Sequence, residues 1–390
     1  MGIDPSDGLF QDGVADVWPT VHRLFDGPRV VRRADGGVTL LRMDDVLAVT
    51  KRRDVHSMDP ASIEFAASYI GAGRPLIPLM LDGEAHTKYR KLLDPLFAPK
   101  VVADLEPRVR ALSDELIDRF VGDGRVEFFE AFCEPLPTRI FLAQLGLPID
   151  DLPFLLWFKD GIIRPVDDEH RVAANTKMVE YLYAELDRRA ATGDPGDDLI
   201  GGFITAEVDG ERLTREDVVD ITFLLVLAGL DTVSATLSCM VAWFARHPEQ
   251  RQRVLDDPGL LPAAIEELLR VETPVVGGGR HATADFELGG EQIRAGDRLR
   301  VLWAAANVDD GCFDDPLAVD FDRPANRHVA FASGFHRCLG SHLARLELRV
   351  ALAALHDRIP DYALDADAPP SYNNGAIRTV NPLPLVFTPG

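Results

Sequence analysis

Apolar residues recur at three- and four-residue steps through most of the middle of the chain, which is the helical period. That spacing predicts helices over Asp82–Leu96, Val101–Val121, Cys133–Leu145 and Leu199–Ala206. Two more are expected within residues 150–192, split near Arg164-Pro165-Val166-Asp167, and two within residues 248–273. Shorter helices are expected near Val17–Phe25 and over Asp44–Arg52. The period changes elsewhere. Arg29–Arg33 and Val38–Arg42 are β-prone runs joined by Ala-Asp-Gly-Gly, a hairpin pattern. Short strands with Gly/Asp turns follow from Thr273 to Leu302, and the proline-rich tail is β-prone. Residues 57–81 read as a loop with a short helix, apolar enough to line something, and residues 303–330 as a meander.

The longest periodic stretch opens at Thr214-Arg-Glu-Asp217, an N-cap pattern, and runs to about His247. Some thirty residues at about 1.5 Å each give about 50 Å, enough to cross a domain. Its middle is too apolar for a surface helix. A second helix, Ser341–Leu355, lies near the C-terminus. No linker, repeat or low-complexity tract separates these elements. The expected fold is therefore mainly α with a small β region, built as a single domain over residues 1–390, although length alone would allow two or three.

Composition narrows the function. A net charge of −22 repels nucleic acid and anionic membrane surfaces unless a local basic patch intervenes. The four cysteines are scattered, with no C-x-x-C pair, so neither a zinc site nor a disulfide framework is indicated. A reducing compartment is the simplest reading. The N-terminus lacks a leader pattern, and no stretch reads as the ~20 apolar residues that span a bilayer. A cytoplasmic protein with no membrane anchor and no nucleic-acid partner is expected.

Chemistry concentrates in Phe331-Ala-Ser-Gly334-Phe-His336-Arg-Cys338-Leu-Gly340. Cys338 stands between two glycines, just ahead of a helix. Unpaired amides and the helix dipole there favour a thiolate. An isolated cysteine is more often a buried structural residue. A second interruption is Asp231-Thr232, after Ala228-Gly229 inside the long helix: either a tolerated polar pair that bends it, or an acid and a hydroxyl facing a cavity. His86 and Arg90 share one helix face, ordinarily a solvated one. Glu267 and Arg270 are three apart, a common surface spacing.

Taken in order, these motifs resemble the cytochrome P-450 family over about residues 82–350. Phe-x-x-Gly-x-x-x-Cys-x-Gly is similar to its haem-binding loop, with Ala332 where a second glycine is usual. The resemblance implies haem b with Cys338 as the axial iron ligand, and Phe331, Gly334 and Gly340 shaping the loop. It implies propionate contacts from His86, Arg90, Arg280 and His336, and a structural triad of Glu267, Arg270 and Arg323. Ala-Gly-x-Asp-Thr resembles the oxygen-activation segment, which makes Asp231 and Thr232 the expected proton-delivery residues. Leu79, Val226, Leu227, Val276, Gly277 and Gly278 are expected to line the substrate cavity, with apolar walls from residues 70–81 and 226–230. The implied activity is dioxygen-dependent hydroxylation of a lipophilic small molecule (a steroid, terpenoid, fatty acid or aromatic) by a monomer. Electrons would come from a ferredoxin or similar protein, received on a basic face formed by arginines between Arg323 and Arg358. Two alternatives stay open: a haem-thiolate peroxygenase or isomerase, and a haem sensor without turnover.

Overall fold

The helical period is realised close to where the sequence places it. The computed structural model describes residues 12–33, 35–57, 75–164 and 166–390. Residues 70–74 of the expected apolar wall, and Pro165, lie outside them. The described residues gather into two compact units, one of residues 1–56, 102–136 and 232–390, the other of residues 57–101 and 137–231.

The first unit holds a five-stranded sheet. Val30–Arg32 and Val38–Leu40 form the expected hairpin, with Val30 opposite Leu40. The next strand is not their sequence neighbour: Arg298–Val301 pairs parallel to Val38–Leu40. Gly278–Ala282 and Val55–His56 complete the order. The buried side chains of this sheet, Val30, Val38, Leu40, Leu299 and Val301, meet Val46 and Val49 of the helix Met43–Thr50. Each such side chain, fully buried, stabilises by about 1.5–3 kcal/mol. A neighbouring core joins Val17, Trp18 and Val21 to Val271, Val276 and Leu302. The C-terminal helix Ser341–Arg358 packs on Glu106–Asp118 and on Leu261–Val271, and its Leu343, Leu346 and Val350 are buried.

The second unit is helical. Leu152–Ile163 and Asp168–Thr192 pack against each other, split where the sequence breaks. Gly161 permits the approach, because a Cβ there would collide with Ala174. The Asp167 carboxylate caps the second helix by accepting from the His170 amide at 2.7 Å.

The long helix, Arg215–Arg246, contributes to both units. Thr214 and Asp217 cap it reciprocally: the Asp217 amide donates to Thr214 Oγ1 at 3.1 Å and the Thr214 amide to Asp217 Oδ2 at 3.0 Å. It corrects one expectation, for its length and a mean hydropathy of 1.8 over its most apolar window do meet the requirements of a membrane span. Since 67% of that window is buried, it takes the place of a core helix.

Two helix boundaries also differ from the pattern. The stretch Val101–Val121 is two helices, Pro99–Ala103 and Glu106–Asp118. Pro107 belongs in a first helical turn, where its missing N–H costs nothing, so the second helix starts there. The Cys133–Leu145 helix begins at Pro135, after a wider π-type turn over Phe129–Cys133.

Candidate active site

The cysteine loop is fixed by its backbone. The Val329 amide donates to the buried Asn307 side chain at 2.7 Å, and the Ala332 amide to the Val329 carbonyl at 2.9 Å. The Cys338 amide then closes the loop on the Phe331 carbonyl at 2.9 Å. Gly334 has φ +72°, and any Cβ there would collide with the Thr50 carbonyl, so glycine is required twice over. Ala332 also adopts a left-handed φ, +55°. The helix that follows runs 18 residues from Ser341, and Gly340 accepts its first turn's bond from Ala344 at 2.9 Å.

Comparison of the four cysteines isolates Cys338. Cys133 and Cys239 are buried, and burial pushes both thiols up, Cys239 to about 12. Cys312 is exposed, but desolvation and the nearby Asp309 and Asp44 raise its thiol as well. Cys338 is exposed and stands ahead of a long helix. Such a donor suits one thiolate bond to a haem iron, as the resemblance implies.

The structural triad forms. Glu267 takes a two-pronged contact from Arg270, both bonds at 2.9 Å, and a third from Arg323 Nε at 2.9 Å. Burial, the largest single influence, would raise the Glu267 carboxyl; the Arg270 bonds, the Asp320 amide and the charges of Arg270 and Arg323 together outweigh it and hold it below its ordinary value. Arg270 also donates to the carbonyls of Asn307, Pro316 and Ala318, pinning the meander that leads to the cysteine loop.

Of the other expected residues in this unit, Arg280 is half-buried on the strand Gly278–Ala282, its guanidinium 5.6 Å from the Trp303 ring. His336 is half-buried in the short turn Gly334–His336. Val276 packs its side chain into the core beside Trp18 and Leu302. Three of the arginines expected to form a basic face pair with acids: Arg345 with Glu266, Arg349 with Glu106, and Arg358 with Asp118. Acids from elsewhere in the chain thus offset part of the positive excess read along residues 323–358.

In the second unit, Asp231 is fully buried. Arg164 reaches both of its oxygens, at 3.4 and 3.3 Å, and Lys159 Nζ lies 3.9 Å from Oδ1. Both partners escaped the sequence reading. Lys159 did leave a signal, as the one cation within the apolar run Leu152–Ile163. Gly229 is needed because Phe141 packs on it: a Cβ would lie 2.8 Å from the ring. Val226 is buried, Leu227 half-buried, and Ala228 is exposed although the surrounding turns of the helix are buried. Thr232, where the helix passes into the first unit, is also partly accessible. His86 is buried, and Arg90, one turn on, is paired with Asp94 at 2.7 Å. Leu79 is 47% exposed.

The family profile of cytochrome P450 matches residues 148–358. Cytochrome P450 CYP107DY1 of Priestia megaterium is 31% identical over 363 residues, covering 89% of this chain and 88% of its own. The steroid C26-monooxygenase of Mycobacterium tuberculosis is 35% identical over 338 residues, covering 83% and 89%. The crystal structure of CYP101J2 superposes with a TM-score of 0.84 at 30% identity, over 97% of this chain and 96% of that one. With the pre-helical cysteine, the Glu-x-x-Arg triad and the Asp-Thr pair in place, these matches establish that the chain belongs to the cytochrome P450 family and is one of its monooxygenases.

Proposed function

We propose that residues 1–390 work as one haem-thiolate domain, a monomer that hydroxylates a lipophilic small molecule with dioxygen and electrons from a ferredoxin-type protein. The observation that carries this reading is the contrast among the cysteines: Cys338 alone combines exposure with a glycine-turned loop before a long helix. Cys338 would hold the iron of haem b, and His86, Arg90, Arg280 and His336 would contact its propionates. Bound in this way, the haem supplies dioxygen activation, with the thiolate donating the electron density that favours O–O cleavage.

The chain's own part is proton handling and orientation. Asp231 is the acid–base group and Thr232 the hydroxyl that receives from it. Arg164 and Lys159 hold the buried Asp231 side chain in place, Arg164 through both of its oxygens and Lys159 from 3.9 Å. Arg164 is the more exposed partner, 26% against 3% for Lys159. When Arg164 swings out, one carboxylate oxygen can take a proton from water and pass it inward. A substrate of the steroid kind is supported by the relative named for steroid C26 oxygenation and by the glycines at 277–279, which add no bulk.

The test begins with the reduced holoprotein under carbon monoxide. The red-shifted thiolate Soret band is expected, and Cys338→Ala should lose it; a band that survives places the ligand elsewhere. Product formation should need both reductase and dioxygen. Equal product from peroxide alone would favour the peroxygenase reading. A screen of steroids, terpenoids, fatty acids and aromatics for a haem spin-state shift then assigns the substrate class.

A further inference from the structure

Adjacent to the triad acid Glu267 stands Glu266, and the two carboxylates serve different networks. Neighbouring helix positions point about 100° apart around the axis, so one helix can reach two places. Glu267 holds the meander. Glu266 reaches toward the cysteine loop instead, where both of its oxygens are used. Arg345 grips them as a fork, Nε to Oε1 at 2.6 Å and Nη2 to Oε2 at 2.8 Å. His328 Nε2 also meets Oε2, at 3.0 Å.

The His328 ring is enclosed, its side chain 3% exposed. Its Nδ1 accepts from the Ala330 amide at 3.2 Å, so the ring proton sits on Nε2 and is donated to Glu266. Burial alone would push the Glu266 carboxyl up, but the bonds from Arg345 and His328 bring it down to about 2, so it is an anion throughout the working range. The guanidinium of Arg345 lies 4.4 Å from the centre of the Phe331 ring, and the His328 ring 6.2 Å from it. Phe331 is the residue whose carbonyl takes the Cys338 amide. Arg345 is itself about one turn into the helix that Cys338 precedes.

We propose that Glu266 is a positioning residue for the Cys338 ligand: through Arg345 and His328 it immobilises Phe331, and Phe331 closes the loop that aims the thiolate. A fixed ring on one side of the loop and a fixed helix on the other leave the Cys338 sulfur one direction in which to bond. Without the carboxylate, Arg345 loses its fork, His328 loses its acceptor, and Phe331 is free to rock. The inference rests on Cys338 being the iron ligand.

The experiment uses haem-loaded protein and follows two signals during heating: the thiolate Soret band of the reduced carbon monoxide form, and the far-ultraviolet helix signal. In Glu266→Gln the thiolate band should decay on the order of tenfold faster than in the unaltered protein, as expected when a group supporting a metal ligand is lost. This decay should occur at temperatures where helix content is intact. Glu266→Asp should restore part of the band's lifetime. Glu106→Gln is the control, since it releases Arg349 from an equivalent pair on the same helix without touching Phe331. It should leave the band's lifetime unchanged. Arg345→Lys, which keeps the charge but loses the fork and the planar face over the ring, should reproduce the Glu266→Gln decay and serves if Glu266→Gln does not fold. Loss of the band and of helix content together in both variants, as in an ordinary global unfolding, overturns the proposal. Absence of the thiolate band from the unaltered protein overturns the ligand assignment instead.

Discussion

Arg164 spans both carboxylate oxygens of Asp231, a residue with no solvent exposure. A buried carboxylate that loses one partner keeps its desolvation cost, whereas removal of both members of the pair removes the cost as well. Arg164→Ala should therefore destabilise by about 2–3 kcal/mol, at the low end for a broken buried pair because Lys159 remains close. Adding Asp231→Asn should recover much of that loss. Urea denaturation of the single and double variants measures it. A double variant as unstable as the sum of the singles would show that the pair is not energetically coupled.

Two buried titratable groups set opposing pH dependences. Burial pushes Glu347 up to about 8 from 4.5 and His356 down to about 4 from 6.5. Glu347 keeps its proton in the folded state, so its contribution is complete below pH 4.5 and is lost as pH rises to 8. His356 stays neutral when folded, so its contribution is complete above pH 6.5 and is lost as pH falls to 4. Between 4.5 and 6.5 the two slopes cancel. From pH 6.5 to 8 only Glu347 acts, and stability should fall by about 2 kcal/mol. Glu347→Gln should flatten that decline, and denaturation midpoints across this range check it. An unchanged slope would assign it to other groups.

These cases show what a sequence can carry. The long helix was legible because its cap and its apolar middle are local. The turned loop that places Cys338 ahead of a helix was legible because it depends on near neighbours, the glycines and the helix start. The break at Asp104–Leu105 was not, because the apolar period continues across it and only the turn geometry reveals it. Neither Lys159 nor Arg164 could be matched to Asp231, since nothing in the sequence links positions so far apart, 67 residues in the case of Arg164. The parallel pairing of Val38–Leu40 with Arg298–Val301 is hidden for the same reason. Glu266 was overshadowed by Glu267, whose spacing to Arg270 is the recognisable one.

Ala332 holds a left-handed backbone, φ +55°, where related loops usually have glycine. That conformation costs about 1–2 kcal/mol for an L-residue. Glycine would remove this strain but adds about 0.5–1 kcal/mol of chain entropy loss, and the methyl group packed on the sheet core would go. The opposing effects nearly balance, so Ala332→Gly should change stability by no more than about 0.5 kcal/mol. Ala332→Val has no such balance: a branched side chain at positive φ should cost about 2 kcal/mol or more. Thermal melts of both variants decide. A strongly stabilised glycine variant would show that the alanine methyl contributes little to packing.

Gly277 and Gly278 are neighbours with different constraints. A Cβ on Gly277 would lie 2.6 Å from the Val301 carbonyl, a backbone atom held in the sheet, and 3.0 Å from Leu302. Gly277→Ala must move a strand, and it should cost about 1–3 kcal/mol, like other overpacked sites. A Cβ on Gly278 meets only the Trp303 ring at 3.4 Å and Arg280 at 3.6 Å, ordinary contacts. Gly278 is also in a strand, where a branched residue is welcome. Gly278→Val should therefore keep the melting temperature, which leaves its effect on ligands interpretable. If Gly278 lines the substrate cavity, Gly278→Val and Gly278→Phe should weaken the largest ligands first and spare or tighten small ones, read as spin-state titrations of the haem absorption. An equal change for large and small ligands, with stability unaltered, would remove Gly278 from the cavity wall.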